Sequence, residues 1–184
     1  MNETVLAGNT VEEGKPCTSV GVFWDIENCK LTPNHSVKKF VDFIEDIFLP
    51  HETVEETIIV IACNLHRIPD HVTTELFDLD CDVRIIHHGI GDANEADDRL
   101  LNEIEEFAEY SDSPPSLTKL VVISGDGDFA KSLEDFRTRK FKIHVVYPKE
   151  FASKKLLKTA HTHQEFEALL ECCSNGILSK SNRV

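Results

Sequence analysis

Two aspartates of this sequence stand just after short apolar runs. Asp25 directly follows residues 19–24 (SVGVFW), and Asp126 follows residues 120–124 (LVVIS) after one glycine. More acids lie in the segment NEADDRL at residues 94–100. Carboxylates that converge repel each other unless a cation neutralises them, and hard oxygen ligands suit Mg²⁺ or Mn²⁺. If the fold brings these segments together, a bound metal there can activate water and offset the charge of a phosphodiester.

Apolar runs alternate with amphipathic stretches along the chain, and this alternation predicts the elements that position the carboxylates. Strands are expected at residues 19–24, 57–62, 82–87, 120–124 and 142–147. Helices are expected at residues 36–48, 70–79, 94–110, 127–139, 154–160 and 164–172. Because nearly continuous apolar strands alternate with helices, the pattern predicts a doubly wound α/β fold. Its parallel sheet of about five strands carries helices on both faces.

The expected elements bring the acids to one edge of the sheet. In doubly wound folds, ligands bind beyond the carboxyl ends of the strands, near the point at which strand order reverses. In the order 3-2-1-4-5, the first and fourth strands are neighbours, so Asp25 and Asp126 should face each other. Helical phase adds Asp97, which shares an inward apolar face with Leu101, whereas Asp98 turns towards solvent.

Each acid taken alone has a simpler interpretation as a helix cap. Asp97 can complete a capping arrangement with Asn94, and Asp126 or Asp128 can cap the helix that follows. Asn28 either begins a turn or uses its amide to orient a metal-bound water or a carboxylate. The glycines beside Asp126 allow a sharp turn, but the chain has no G-x-x-x-x-G-K-[ST] motif, which disfavours an ATP site.

Three segments together resemble an NYN domain, a branch of the PIN-like nuclease superfamily, and in particular the meiosis regulator and mRNA stability factor family. They are GVFWDIENC at residues 21–29, NEADDRL at residues 94–100 and VVISGDGDF at residues 121–129. The resemblance covers residues 19 to about 170. It implies a Rossmann-like sheet and a Mg²⁺- or Mn²⁺-dependent endoribonuclease. Such an enzyme cuts single-stranded RNA with metal-activated water and leaves a 5′-phosphate and a 3′-hydroxyl.

The resemblance also implies roles for individual residues. The catalytic and metal-binding aspartates fall on Asp25, Asp97 and Asp126, with Asp98 and Asp128 as supporting metal ligands. The family's Asn after the first Asp falls on Asn28, and we add Asn64 and Ser124 as supporting residues at strand ends.

Two positions depart from the family pattern. Related domains often carry another Asp after the second strand, where this chain has Cys63 and Asn64. They also often have a Lys shortly before the helix acids, where this chain has Ala93. Both changes predict weaker metal binding or slower cleavage. They leave open a catalytically weakened NYN module that binds RNA or protein within an RNA-processing assembly.

Charge is distributed unevenly along the chain. Acids outnumber bases 33 to 19, for a formal net charge of −14, which excludes a generally basic nucleic-acid coating protein. Residues 131–163, however, hold nine Lys or Arg and three Asp or Glu. We expect RNA phosphates to contact basic residues of this segment, namely Lys149, Lys154, Lys155, Lys158 and Arg139.

Other enzyme classes fit the sequence less well. A haloacid-dehalogenase-like phosphatase needs D-x-D-x-[TV], and Glu27 stands at its second acidic position. A phosphoacceptor receiver domain needs an Asp after the third strand, where His87 and His88 stand instead. Neither these histidines nor His161 and His163 have zinc-ligand spacing, although His87 or His88 could assist proton transfer near a metal.

The remaining expectations concern organisation and cellular context. Residues 1–18 are expected to be a flexible leader, residues 19–173 a single domain and residues 174–184 a tail. No apolar run is long enough for a membrane span and no secretory signal is evident, so the cysteines are expected to be reduced thiols. We expect an intracellular protein of the cytoplasm, with the nucleus as the open alternative. Its expected partners are single-stranded RNA and either other RNA-processing proteins or a second copy of the chain.

Overall fold

The computed structural model describes residues 18–49, 54–79, 83–88 and 95–175 of the 184-residue chain. Within these ranges the strands are β1 (Ser19–Asp25), β2 (Glu56–Asn64), β3 (Val83–His88), β4 (Thr118–Ile123), β5 (Lys142–Tyr147) and β6 (Thr162–Glu165). The helices are α1 (Val37–Phe48), α2 (Asp70–Phe77), α3 (Glu95–Tyr110), α4 (Ala130–Thr138), α5 (Lys154–Thr159) and α6 (Phe166–Ser174). Two short 3₁₀ turns cover Pro115–Leu117 and Gly127–Phe129. The expected leader lies outside these ranges apart from its last residue, as does nearly all of the tail.

The sheet is parallel throughout, in the order β3-β2-β1-β4-β5-β6. The strand order reverses between β1 and β4, which pair in a register that sets Trp24 opposite Ile123. The residues that follow these two strands therefore meet at the carboxyl edge of the sheet. The predicted doubly wound α/β fold is confirmed.

The sheet has one strand more than the sequence predicted. β6 pairs with β5 from His144 opposite Thr162 to Tyr147 opposite Glu165. It was missed because its four residues are polar and carry no apolar alternation. A hydrogen bond of 2.7 Å between the His144 ring and the Thr162 hydroxyl adds to the backbone pairing. The last helix accordingly begins at Phe166 and not at residue 164.

Two apolar cores lie on opposite faces of the sheet, because successive strand side chains alternate between faces. On one face Trp24 packs against Phe40 of α1 and Phe166 of α6, with ring centroids 5.1 and 6.4 Å apart. On the other face Phe23 packs against Phe107 of α3 at 6.0 Å, beside residues of α4 and α5. Burial of both faces accounts for the continuous apolar strands.

The four described cysteines are free thiols, Cys29, Cys63, Cys172 and Cys173. Burial raises the pKa of the Cys29 thiol well above its usual range and that of Cys63 to about 11, so both remain neutral core groups. Of the helices in the described ranges, none has the length and apolar content needed to cross a bilayer.

Candidate functional site

Asp25 ends the central strand β1 and is held by three hydrogen bonds. Its Oδ1 atom accepts from the backbone N–H groups of Glu27 and Asn28, each at 3.2 Å. Its Oδ2 atom accepts from the hydroxyl of Ser124 at 3.1 Å. The side chain is buried, and this burial raises the pKa of Asp25 from 3.8 to about 6 against the lowering effect of these bonds. The carboxylate is therefore fixed in orientation and kept largely from water.

Ser124, which immediately follows β4, links the two acidic strand ends. Its fully buried hydroxyl donates to Asp25 and accepts the backbone N–H of Asp126 at 3.1 Å. Asp126 in turn accepts the N–H of Asp128 through Oδ1 at 2.9 Å and so caps the short turn Gly127–Phe129. The capping interpretation of Asp126 is thus correct for one of its carboxylate oxygens.

Asn28 makes a second connection between the same two strand ends. Its Oδ1 atom accepts the backbone N–H of Gly125 at 2.8 Å. Gly125 is also tightly enclosed, because a Cβ atom there would lie 2.7 Å from Cδ of Pro148. Asn28 therefore positions the turn that carries Asp126, and its amide oxygen is engaged in doing so.

Asp97 reaches this edge from the first turns of α3. It is half-buried, whereas the neighbouring Asp98 is exposed. Burial, followed by repulsion from the four other aspartates, raises the pKa of Asp97 from 3.8 to about 7. Those four are Asp25, Asp126, Asp128 and Asp98, in decreasing order of effect. The fold thus brings the other four predicted aspartates within electrostatic reach of Asp97.

The carboxylate oxygens of these aspartates are ligands of the kind that hard divalent cations prefer. A bound cation would also relieve the repulsion that the other four aspartates impose on Asp97. Their side chains do not yet form a coordination shell. In the described part of the chain, no group of three or more His, Cys, Asp or Glu side chains is arranged around one metal position.

A cavity of about 760 Å³ opens beside Asp97. Its lining includes four acids, Asp97, Asp98, Asp128 and Glu134, together with three lysines, Lys131 of α4 and Lys155 and Lys158 of α5. Acids and lysines line the same space, so a polyanion in the cavity would contact the lysines while lying beside the acidic edge.

The NYN domain family model matches residues 19–169, which is most of the chain. The chain belongs to the NYN domain family. Membership indicates a nuclease-like, RNA-related function and confirms the resemblance found in the sequence.

Curated relatives of this NYN domain share one name, "Meiosis regulator and mRNA stability factor 1". The proteins from Gallus gallus and Bos taurus are each 34% identical over 169 residues, and that from Xenopus tropicalis is 32% identical over 166 residues. The matches cover 90–91% of this chain but only 9% of each relative. The chain therefore corresponds to one segment of much longer proteins.

A solved structure of a protein of unknown function from Vibrio parahaemolyticus has a similar fold. Its TM-score to this NYN domain is 0.56 at 16% sequence identity. The similarity covers 83% of this chain and 95% of the other. At this identity, the comparison supports the fold alone.

The remaining predicted residues of this NYN domain lie in different surroundings. Asn64 is buried at the end of β2, and its Oδ1 accepts the N–H of His66 at 2.9 Å, so it stabilises the local turn. Lys149, just after β5, is exposed, and its Nζ atom lies 3.6 Å from Oε2 of Glu165. Lys154, the first residue of α5, is exposed at the same edge of the sheet.

Arg139 lies at the opposite edge of the sheet from the aspartates. It caps α4, which runs back from the carboxyl edge towards the start of β5. Its guanidinium packs over the rings of Phe136 and Phe141, 5.1 and 5.2 Å from their centroids. Its Nη1 atom also lies 3.7 Å from Oδ2 of Asp135. The direction of α4 thus separates Arg139 from the lysines near the aspartates, and its contact with RNA stays a prediction.

Two residues of the site were not in the predicted set. Glu27 is close enough to Asp25 for its charge to raise the pKa of that carboxyl, and its place in the segment DIEN was the available signal. Lys131 lines the cavity, which depends on the packing of α4 against α5 and has no signature in sequence spacing. Of the two histidines predicted to assist proton transfer, His87 lies on the edge strand β3, two strands from β1, and the side chain of His88 lies outside the described residues.

Proposed function

We propose that this NYN domain is a divalent-metal-dependent endoribonuclease that cleaves single-stranded RNA. The observation that carries the proposal is the meeting of two acidic strand ends at the point where strand order reverses, with the Ser124 hydroxyl bonded to both Asp25 and Asp126. Asp25, Asp97 and Asp126 would hold Mg²⁺ or Mn²⁺, with Asp98 and Asp128 in support. Such an ion supplies a water of lowered pKa and offsets charge on the phosphodiester.

The chain's own residues would orient the reactants. Ser124 and the backbone N–H groups after β1 hold the Asp25 carboxylate in one orientation. Asn28 holds the turn that presents Asp126. Lys131, Lys155 and Lys158 would bind phosphates of the strand across the cavity from Asp97. The chain carries a net charge of −14 and repels RNA as a whole, so these lysines would offset part of the repulsion beside the aspartates.

The decisive test is cleavage of end-labelled single-stranded RNA in Mg²⁺, Mn²⁺ or EDTA. Wild type is compared with Asp25→Asn and Asp126→Asn, and with Asp135→Asn as an exposed control on α4. We expect metal-dependent cutting that falls by about 100-fold or more in the two site variants, the scale seen when one electrostatic stabiliser of a transition state is removed. The control should cut like wild type, and the products should carry 5′-phosphates. A folded wild-type protein that cuts no RNA in either metal would contradict the proposal.

A second candidate is an NYN module that binds RNA without cutting it. The observation that favours it is Asn64, which supplies no negative charge at the end of β2 and whose amide oxygen already accepts the N–H of His66. Under this proposal, wild type and both site variants bind RNA equally and none cleaves. The cleavage assay with a parallel binding measurement therefore separates the two candidates.

The cellular setting is proposed from the relatives and not from the site. Their shared name refers to mRNA stability, and we propose that this domain acts in RNA decay or silencing, in the cytoplasm, as one segment of a longer protein. Fractionation of cells that express the tagged full-length protein would test the compartment.

A further inference from the structure

Three large apolar side chains are strongly exposed in the described ranges: Phe77 at 61%, Tyr110 at 75% and Phe151 at 75%. Single exposed aromatics are common on protein surfaces, so position must decide whether one of them has a role. Phe77 and Tyr110 end α2 and α3, which run back from the carboxyl edge of the sheet, so both lie at the amino edge. Phe151 lies between β5 and α5, at the same edge as the aspartates.

The loop that carries Phe151 is fixed against the acidic turn. The backbone N–H of Ser153 donates to the carbonyl of Gly125 at 3.0 Å. A Cβ atom on Gly127 would lie 2.7 Å from the Ser153 hydroxyl oxygen, and one on Gly125 would lie 2.7 Å from Pro148. Phe151 itself donates its N–H to the carbonyl of Pro148 at 3.3 Å. Both ends of this short loop therefore contact the turn that presents Asp126, while the ring between them faces solvent.

Lysines flank this ring in sequence on both sides. Lys149 precedes it, and Lys154, Lys155 and Lys158 follow it on α5, with Lys155 and Lys158 lining the cavity beside Asp97. Sites for single-stranded nucleic acid combine a basic track for the backbone with aromatic rings on which bases stack. Such stacking tolerates any sequence, because every base has a π face.

We propose that Phe151 is a base-stacking residue, on which an unpaired base of single-stranded RNA rests while neighbouring phosphates contact the α5 lysines. The inference rests on the proposed function, since it requires an RNA strand at this edge of the sheet. It adds a recognition element that selects unpaired over paired RNA, because a base within a duplex cannot offer its face to the ring.

A tryptophan at position 151 reports stacking directly. The native Trp24 is fully buried, so Phe151→Trp adds a solvent-exposed fluorophore to a constant background. The probe is oligoadenylate, with Ca²⁺ in place of Mg²⁺ and with the integrity of the strand checked on a gel. The control is an abasic strand of equal length, which supplies phosphates without bases. We expect quenching by oligoadenylate and none by the abasic strand. Phe77→Trp and Tyr110→Trp, matched in exposure at the opposite edge, should show no quenching.

Affinity supplies the second readout. Phe151→Ala should weaken oligoadenylate binding about 5-fold or more, at the lower end of measured base–aromatic stacking, with an unchanged Tm. Phe151→Tyr should restore binding. Wild-type-like binding by Phe151→Ala, or equal quenching at all three tryptophan positions, would overturn the stacking role and leave the proposed function standing. Absence of RNA binding by wild type would overturn both.

Discussion

At the scale of single residues, the site is governed by the arrangement of hydrogen bonds around buried carboxylates. Asp25 would be costly to bury as a bare anion, and its three donors offset part of that cost. Ser124 serves both strand ends with one hydroxyl, as donor to Asp25 and acceptor for Asp126. The geometry of the two acids is therefore coupled through a single oxygen atom.

Asp97 should make stability depend on pH in a defined direction. Its pKa is raised from 3.8 to about 7, so the folded state retains a proton that the unfolded state has lost over this range. The stabilisation from this group is present below the ordinary carboxyl pKa and is lost as pH rises through about 7. Asp97→Asn should therefore raise Tm more at pH 8 than at pH 5, as measured by thermal melts.

The exposed neighbour supplies a control for this experiment. Asp98→Asn removes the same charge at a position outside the buried face and should change Tm less at pH 8. Adding Mg²⁺ at pH 8 should raise the Tm of wild type more than that of Asp97→Asn, because the cation relieves a repulsion that the variant lacks. A pH-independent effect of Asp97→Asn would contradict the predicted linkage.

At the scale of elements, the turn after β4 is the most constrained segment of the site. It contacts the β1 end through Asn28 and the β5–α5 loop through Pro148 and Ser153. Its two glycines differ in what surrounds them. Gly125 faces the rigid ring of Pro148, whereas Gly127 faces the rotatable hydroxyl of Ser153.

This difference predicts unequal effects of two otherwise identical substitutions. Gly125→Ala should lower Tm more than Gly127→Ala, because a proline ring cannot rotate away from the new methyl group. Overpacking of this kind costs about 1–3 kcal/mol, and each kcal/mol corresponds to about 2–4 °C of Tm in a domain of this size. Thermal melts of the two variants provide the measurement, and equal shifts would contradict it.

The sequence predicted the elements well where burial on one or both faces dictates the pattern. The apolar runs before Asp25 and Asp126 were sufficient to place both at strand ends, and helical phase was sufficient to separate Asp97 from Asp98. The sequence could not identify hydrogen-bond partners that lie far apart along the chain. Nothing local to Asn28 indicates that its amide accepts from Gly125, 97 residues away. β6 was missed because its pairing depends on the exposed edge of β5 and not on its own composition.

At the scale of the whole molecule, basic residues lie at both edges of the sheet, but only one group of lysines lines the cavity beside Asp97. The chain carries −14 overall, yet Lys131, Lys155 and Lys158 gather at one cavity. Lys140, by contrast, lies at the other edge between α4 and β5. RNA binding should therefore depend on salt through a few lysines only.

Removal of the cavity lysines tests this directly. The double variant Lys155→Ala/Lys158→Ala should weaken binding of single-stranded RNA and reduce the slope of log K against log salt by about 0.7 for each phosphate that is no longer neutralised. Lys140→Asn is the control. It removes one charge at a φ of 79°, which suits Asn, and should leave the slope unchanged. Fluorescence anisotropy over a salt series measures both, and an unchanged slope in the double variant would contradict the assignment.

The bond between Ser124 and Asp25 has a consequence for the order in which the protein is made. The two residues are 99 positions apart, and the central strand β1 lies between a partner synthesised early and one synthesised much later. While the ribosome is still adding residues 26–123, Asp25 has no hydroxyl donor and Asp126 does not exist. The proposed active site is therefore incomplete until the ribosome has added Asp126. A chain released early from a damaged message would carry the Asp25 carboxylate without the Ser124 hydroxyl that donates to its Oδ2 atom.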